Sequence, residues 1–66
     1  MTGEEFRGIR IELGLTQAQL GEALGLSYVE IYRKETGRCA ISTAQALAMT
    51  LMLQEARRLK ATEGEE

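Results

Sequence analysis

Apolar and polar residues recur along this chain with the spacing of helices. Four segments each open with Ser or Thr and carry Glu or Gln three positions later, which is the capping-box pattern. The pairs are Thr2/Glu5, Thr16/Gln19, Ser27/Glu30 and Ser42/Gln45. The first three segments stop at Gly14, Gly25 and Gly37, and glycine tolerates the left-handed conformation that closes a helix. The pattern therefore predicts an all-α chain with helices over about 3–13, 17–24, 28–35 and 43–60.

The first two predicted helices supply most of a small core. Phe6, Ile9 and Leu13 recur on one side of the first helix, and Leu20 and Leu24 recur in the second. A glycine at position 21 lies in the middle of the second helix, where it costs about 1 kcal/mol relative to alanine. This cost suggests that the third helix crosses closely there, although a surface glycine would also be tolerated.

The third predicted helix has little apolar surface. Ile31 is its clear core residue, while its other residues include Tyr28, Glu30, Arg33 and Lys34, which cannot all be buried. Such a short helix stabilises itself poorly. It therefore needs a polar or charged partner surface, unless it is simply a solvated helix.

The fourth predicted helix is about 27 Å long and is apolar on two sides. One stripe consists of Ala44, Leu47, Ala48 and Leu51, and a second set extends around the side: Met49, Met52, Leu53, Ala56 and Leu59. A domain of this size can cover only one side. The second set is therefore expected to contact another copy of the chain, unless residues 54–60 fold back or fray.

Composition narrows the class of protein. With 66 residues the chain forms one domain, and no apolar run approaches the length of a transmembrane helix. One cysteine, Cys39, and no histidine argue against a disulfide and a metal site. There is also no Asp and no glycine-rich phosphate loop. We expect no enzyme activity, no cofactor, no small-molecule ligand and no membrane contact, and a cytoplasmic location.

The net charge of −2 conceals an uneven distribution. Three glutamates, at positions 63, 65 and 66, lie in an acidic segment over residues 62–66 that we expect to be a disordered tail. Without them the remainder carries +1. Arg33, Lys34 and Arg38 cluster around the third helix, although charge alone does not separate a binding surface from ordinary solvated side chains.

One run of residues resembles a known family. It reads Leu15-Thr16-Gln17-x-x-Leu20-Gly21-x-x-Leu24-Gly25-Leu26-Ser27, followed by Ile31, Glu35 and Gly37. The run resembles the Cro/C1-type helix-turn-helix of the XRE family, found in phage repressors and bacterial regulators, and the resemblance covers residues 3–53. It implies a small lambda-repressor-like DNA-binding domain of four or five helices over residues 1–61. No break residue occurs near Leu53, so we expect the family's fourth and fifth helices to be fused or the fifth to be lost. The helix-turn-helix spans 16–37, and the helix over 43–60 is the expected dimerisation element.

The resemblance also implies roles for individual residues. Gln17 contacts a phosphate and braces the recognition helix, Ser27 touches the DNA backbone, and Arg38 meets a phosphate. Arg10 and Glu35 form an internal salt bridge. The positions that face base edges are Tyr28, Val29 and Arg33.

Side-chain chemistry leaves some of these roles open. Arg33 suits guanine O6 and N7 but could instead bind a phosphate. Glu30 could accept from cytosine N4 or serve only its own cap. Lys34 occupies a slot that is usually apolar in the family, so its stem could cover the core while its ammonium reaches solvent or phosphate.

The sequence therefore predicts a DNA-binding transcription regulator. We expect a repressor that binds a palindromic operator on double-stranded DNA as a homodimer, of the phage or mobile-element autoregulator type. The alternatives are an antitoxin-type regulator and a protein-interaction module that has lost DNA binding. Cys39 is expected to be a loop or half-buried thiol rather than a nucleophile, since no histidine can act as its base.

Overall fold

The computed structural model describes residues 1–63, with the side chains of residues 1–61. It contains α1 (Gly3–Glu12), α2 (Gln17–Leu24), α3 (Tyr28–Glu35) and α4 (Thr43–Glu63), and no strand occurs within residues 1–63. The all-α prediction is confirmed. The first helix ends one residue early, and the last continues through residues 61–63, two of which were expected in the disordered tail. The remaining tail residues, 64–66, lie outside the described part of the chain.

All four predicted capping boxes form. At the start of α2, for example, the backbone N–H of Gln19 donates to the Thr16 hydroxyl at 3.1 Å, and the Thr16 N–H donates to the Gln19 side chain at 2.9 Å. The same reciprocal bonds cap α1, α3 and α4. The glycines at 14, 25 and 37 all have positive φ, between 72° and 80°. The helix starts are therefore set by bonds that span only three residues.

Each helix contributes one completely buried apolar side chain to the core: Phe6, Leu20, Ile31 and Met49. Partly buried apolar residues surround this cluster, namely Ile9, Leu15, Leu24, Leu26, Ile41 and Met52. Because α1 packs against both α3 and α4, while α2 packs against α3, the first three helices form a unit with α4 along one side.

Two glycines permit close contacts between backbones. A Cβ on Gly21 would lie 2.5 Å from the carbonyl oxygen of Leu26, which belongs to the turn before α3. The mid-helix glycine of α2 therefore has a packing reason. A Cβ on Gly3 would lie 2.6 Å from the carbonyl oxygens of both Lys34 and Glu35, so the start of α1 rests on the end of α3, a contact that the sequence pattern did not indicate.

The prediction of which residues of α4 face the core is wrong in part. Met49 is fully buried in the core, whereas Leu47 and Leu51 are 58% and 54% exposed. Met49 is therefore not available as a dimer contact, because α1 and the core cover that side of α4. The other residues expected at the dimer interface divide: Met52, Leu53 and Ala56 are half-buried, and Leu59 is 51% exposed. Within residues 1–63, no helix combines the length and the hydropathy that crossing a membrane requires.

Candidate nucleic-acid interface

Helix α3 presents one side to the protein and the other to solvent. Ser27 caps its start, and the turn before it is closed by a 2.7 Å hydrogen bond from the Leu26 N–H to the Gly21 carbonyl. The buried side consists of Ile31, Lys34 and Glu35. The solvent side therefore carries the remaining residues of the helix, including those predicted to read bases.

An ion pair locks α3 to α1. Arg10 Nε donates to Glu35 Oε2 at 2.5 Å, and Arg10 Nη2 donates to Glu35 Oε1 at 3.2 Å. A third guanidinium N–H donates to the Leu15 carbonyl at 2.9 Å. The Glu35 and Arg10 side chains are only 2% and 13% exposed. The pair that the family resemblance implied is thus present, and its bidentate geometry fixes the orientation of both partners.

Gln17 joins α2 to the same carboxylate. Its Nε2 donates to Glu35 Oε1 at 3.2 Å, so the first residue of α2 is tied to the last residue of α3. A side-chain amide has two N–H donors, and the half-buried Gln17 needs only one of them for this bond. The other remains available to a ligand in front of α2.

The structure corrects the predicted DNA-binding role of Lys34. It is 9% exposed, and its Nζ donates to the Ala40 carbonyl at 2.9 Å. Lys34 lies three residues after Ile31 on the buried side of α3, so its ammonium holds the loop that follows α3. It does not reach the solvent side that would face DNA.

The solvent side of α3 contains both predicted and unpredicted residues. Tyr28 and Val29 are 61% and 37% exposed, and Arg33 is exposed beside them. Tyr32 is 48% exposed on the same side, and Thr36 follows at the C-cap. Tyr32 was missed by the sequence reasoning, although its spacing of three residues from Val29 and four from Tyr28 could have placed it on that side.

Ser27 and Glu30 are exposed at the start of α3 and bonded to each other. The Glu30 carboxylate accepts from the Ser27 N–H at 3.4 Å and from its hydroxyl at 3.3 Å. Of the two roles considered for Glu30, the capping role is therefore the one present in the structure.

A groove runs beside α3 on the side of α1. It is lined by Glu4, Arg7, Gly8, Arg10, Ile11, Gln17, Tyr32, Glu35 and Thr36. The groove thus joins the exposed part of α1 to the start of α2 and the solvent side of α3. Of its α1 residues, only Arg10 was among the predicted site residues.

The basic side chains fall into two groups. Arg10 and Lys34 are engaged inside the fold, and two exposed arginines of α4 pair with Glu12 and Glu55. In contrast, Arg7, Arg33, Arg38 and Lys60 have no side-chain hydrogen bond or ion pair with any described residue. Lys60 lies near the end of α4, whereas the three arginines belong to α3, to the loop that follows it, or to the groove beside it.

A metal centre has no support in the described part of the chain, where no cluster of three or more His, Cys, Asp or Glu side chains could hold an ion. Cys39 is exposed in the loop after α3. The exposed side chains around α3 offer hydrogen-bond donors and unpaired positive charge.

A family model described as a helix-turn-helix domain matches residues 3–61. The matched range includes α1, α2, α3 and most of α4. Neither curated proteins nor solved structures give a significant match.

Proposed function

Since the chain belongs to the helix-turn-helix domain family, we propose that it is a sequence-specific transcription regulator of the Cro/C1 (XRE) type. It binds double-stranded DNA with α3 in the major groove and acts as a repressor at a palindromic operator. The observation that carries the proposal is the solvent side of α3, where the unpaired Arg33 stands beside Val29.

The residues divide between reading and positioning. Arg33 is suited to guanine O6 and N7, Val29 to a thymine methyl, and Tyr28 to stacking or to a phosphate. Contacts with phosphates fix the register of a protein on DNA without specifying sequence. Gln17, with its second amide N–H, and the unpaired Arg38 suit that role, as does the exposed hydroxyl of Ser27.

The supports of α3 explain how so short a helix presents a defined surface. An isolated helix of eight residues is unstable in water. Here Glu35 is held by Arg10 and Gln17, while Lys34 holds the following loop through Ala40. With its inner side held by directional bonds, α3 offers its outer side in one orientation, which limits the ordering cost of binding.

The experiment that tests this proposal is selection of bound duplexes from a random pool, followed by affinity measurements on the selected site and on random DNA. Arg33→Ala is expected to cost about 1–3 kcal/mol on the selected site and less on random DNA. Arg57→Ala removes the same charge from α4, away from α3, and is the matched control. Equal losses on both duplexes would assign Arg33 to a phosphate instead.

The alternative function has its own outcome in this experiment. If the folded protein binds no duplex even at low salt, where phosphate contacts are strongest, the DNA-binding proposal is wrong. The chain would then be a protein-interaction module that kept the fold.

The proposal includes a homodimer formed through α4. The exposed leucines at positions 47, 51 and 59 are separated by four and eight residues and therefore lie on one side of the helix. A second copy of the chain is the natural occupant, because a two-fold dimer places two α3 helices on a palindromic site. This side replaces the one on which Met49 was expected to contact the partner.

The homodimer is tested by sedimentation of a charged variant. Leu51→Glu should yield a monomer that remains folded, because Leu51 is already half exposed in the single chain. Ala23→Glu adds the same charge at an exposed position on α2 and should leave the association unchanged. A monomeric wild-type protein, or a selected site without two half-sites about 34 Å or a multiple apart, would contradict the dimer.

A further inference from the structure

We propose that the groove between α1 and α3 is a second DNA contact, in which Arg7 binds a backbone phosphate. The inference rests on the proposed function and extends the interface onto a helix outside the helix-turn-helix. Arg7 is exposed, has no ion-pair partner among the described residues, and lines the same groove as Gln17 and Tyr32.

Gly8 provides an independent observation. The structure describes six glycines, and the fold explains five: Gly3 and Gly21 allow close backbone contacts, and three others have positive φ. Gly8 has ordinary helical backbone, and a Cβ built on it meets nothing within 4 Å. Glycine inside a helix is destabilising relative to alanine, so the fold alone gives no reason for it. Because Gly8 lines the groove, its missing side chain leaves the groove floor open for the close approach of a ligand.

The dimensions of DNA place phosphates near this groove. The major groove is about 12 Å wide, and a helix with its side chains is about 10–12 Å across. Elements that flank a helix seated there consequently meet the phosphates along the edges of the groove. The α1 groove flanks α3, and it includes Gln17, the residue proposed above to contact a phosphate.

The donors in the groove suit a phosphate. The Arg7 guanidinium can form two parallel hydrogen bonds with phosphate oxygens, and Gln17 and Tyr32 can add an amide and a phenol donor. The charge of Arg10 is already neutralised by Glu35. Arg7 therefore supplies the only uncompensated positive charge among the residues that line the groove.

Glu4 opposes this charge. It lines the same groove one helical turn before Arg7, and no ion pair joins the two side chains. Its carboxylate would repel a phosphate and so weaken the contact. Glu4→Gln should therefore tighten DNA binding, whereas Arg7→Ala should loosen it.

The test is the salt dependence of binding by the full chain to a selected duplex and to random DNA. Each neutralised phosphate contributes about 0.9 to the slope of log K against log[salt]. Arg7→Ala should lower that slope by about 0.9 per chain on both duplexes. Between 50 and 200 mM salt, the wild-type affinity should thus fall more than that of the variant, by a factor of about 3.5 for each bound chain. Arg57→Ala, which removes an exposed charge from α4, should leave the slope unchanged.

A second variant tests the open space in the groove without changing its charge. Gly8→Leu replaces glycine with a better helix former and meets no protein atom at Cβ, so its melting temperature should equal or exceed that of the wild type. Its affinity should nevertheless fall on both duplexes, because the leucine side chain occupies the groove.

Two results distinguish failure of this inference from failure of the proposed function. If Arg7→Ala and Gly8→Leu bind like the wild type while Arg33→Ala still loses affinity for the selected site, the groove is not a DNA contact although the protein reads DNA. If the wild type binds no duplex, both proposals fail together.

Discussion

Helices α3 and α4 both expose apolar side chains, but only α3 buries charged ones. The eight residues of α3 place Lys34 and Glu35 on the inside, with Val29 on the outside. In α4, the fully buried residue is Met49, and its charged side chains are exposed together with Leu51. Each helix therefore exposes apolar surface that contact with a binding partner would remove from water.

The difference lies in how each helix is held. A buried charge requires partners at defined distances and angles, and α3 has them in Arg10, Gln17 and the Ala40 carbonyl. Apolar contacts such as those of Met49 have no preferred direction. We infer that α3 is fixed in rotation, as a helix that reads base edges must be, whereas α4 offers a broad apolar surface of the kind that suits a second copy of the chain.

The largest expected effect comes from breaking the buried pair. Arg10→Ala would leave Glu35 buried beside Gln17 alone, and the free energy of unfolding should fall by about 3–5 kcal/mol, measured from urea unfolding curves. The matched control is Arg57→Ala, which breaks the exposed bidentate pair between Arg57 and Glu12 (side chains 65% and 47% exposed). That change should be far smaller, because water screens the exposed pair. Similar losses of unfolding free energy for the two variants would contradict the difference between the buried and the exposed pair.

An intermediate effect is expected at Lys34. Lys34→Met keeps a similar stem but leaves the Ala40 carbonyl without its donor, which should cost about 1–3 kcal/mol in unfolding free energy. The slope of log K against log[salt] for DNA binding by the folded variant should stay unchanged, since Lys34 faces away from the proposed interface and neutralises no phosphate. Lys60→Met, at an exposed position on α4, should change stability little. A salt slope lowered by about 0.9 per chain in folded Lys34→Met would restore Lys34 to the interface.

The smallest effect concerns pH and the exposed pair between α1 and α4. The hydrogen bond from Arg57 holds the pKa of the Glu12 carboxyl below its ordinary value. A carboxylate with a lowered folded-state pKa contributes stability above its unfolded pKa and loses it as the pH falls through the folded value. The difference in urea midpoint between the wild type and Arg57→Ala should therefore be present at neutral pH and vanish on acidification. A difference that persists after Glu12 is protonated would have another cause.

Much of the fold was accessible from sequence because its signals are local. The capping pairs predicted the starts of all four helices, since each box closes between residues three apart. The glycine at position 21 was correctly associated with close packing. Gly3 gave no comparable signal, because its constraint comes from the carbonyl oxygens of Lys34 and Glu35, more than thirty residues away.

The candidate site was predicted in part for the same reason. The resemblance to the Cro/C1-type motif implied that Tyr28, Val29 and Arg33 face outward from α3, and all three are exposed there. The groove with Arg7 was missed because its two walls belong to α1 and α3, which only tertiary packing brings together. The roles of Tyr28, Val29 and Arg33 on DNA remain predictions, which the selection experiment tests.

The sequence by itself determined where the helices begin and which family the chain resembles, because capping bonds and motif spacing act over a few residues. Only the tertiary structure decided which side of α4 faces inward. α4 is apolar on both sides, and the packing of α1 against it selected Met49 for the core and left Leu47 and Leu51 outside. The same packing turned Lys34 towards the Ala40 carbonyl. A helix that is apolar on two sides gains similar free energy from burying either one. Its rotation is therefore set by the neighbouring helices, through the shape of the packing surface and the available hydrogen-bond partners.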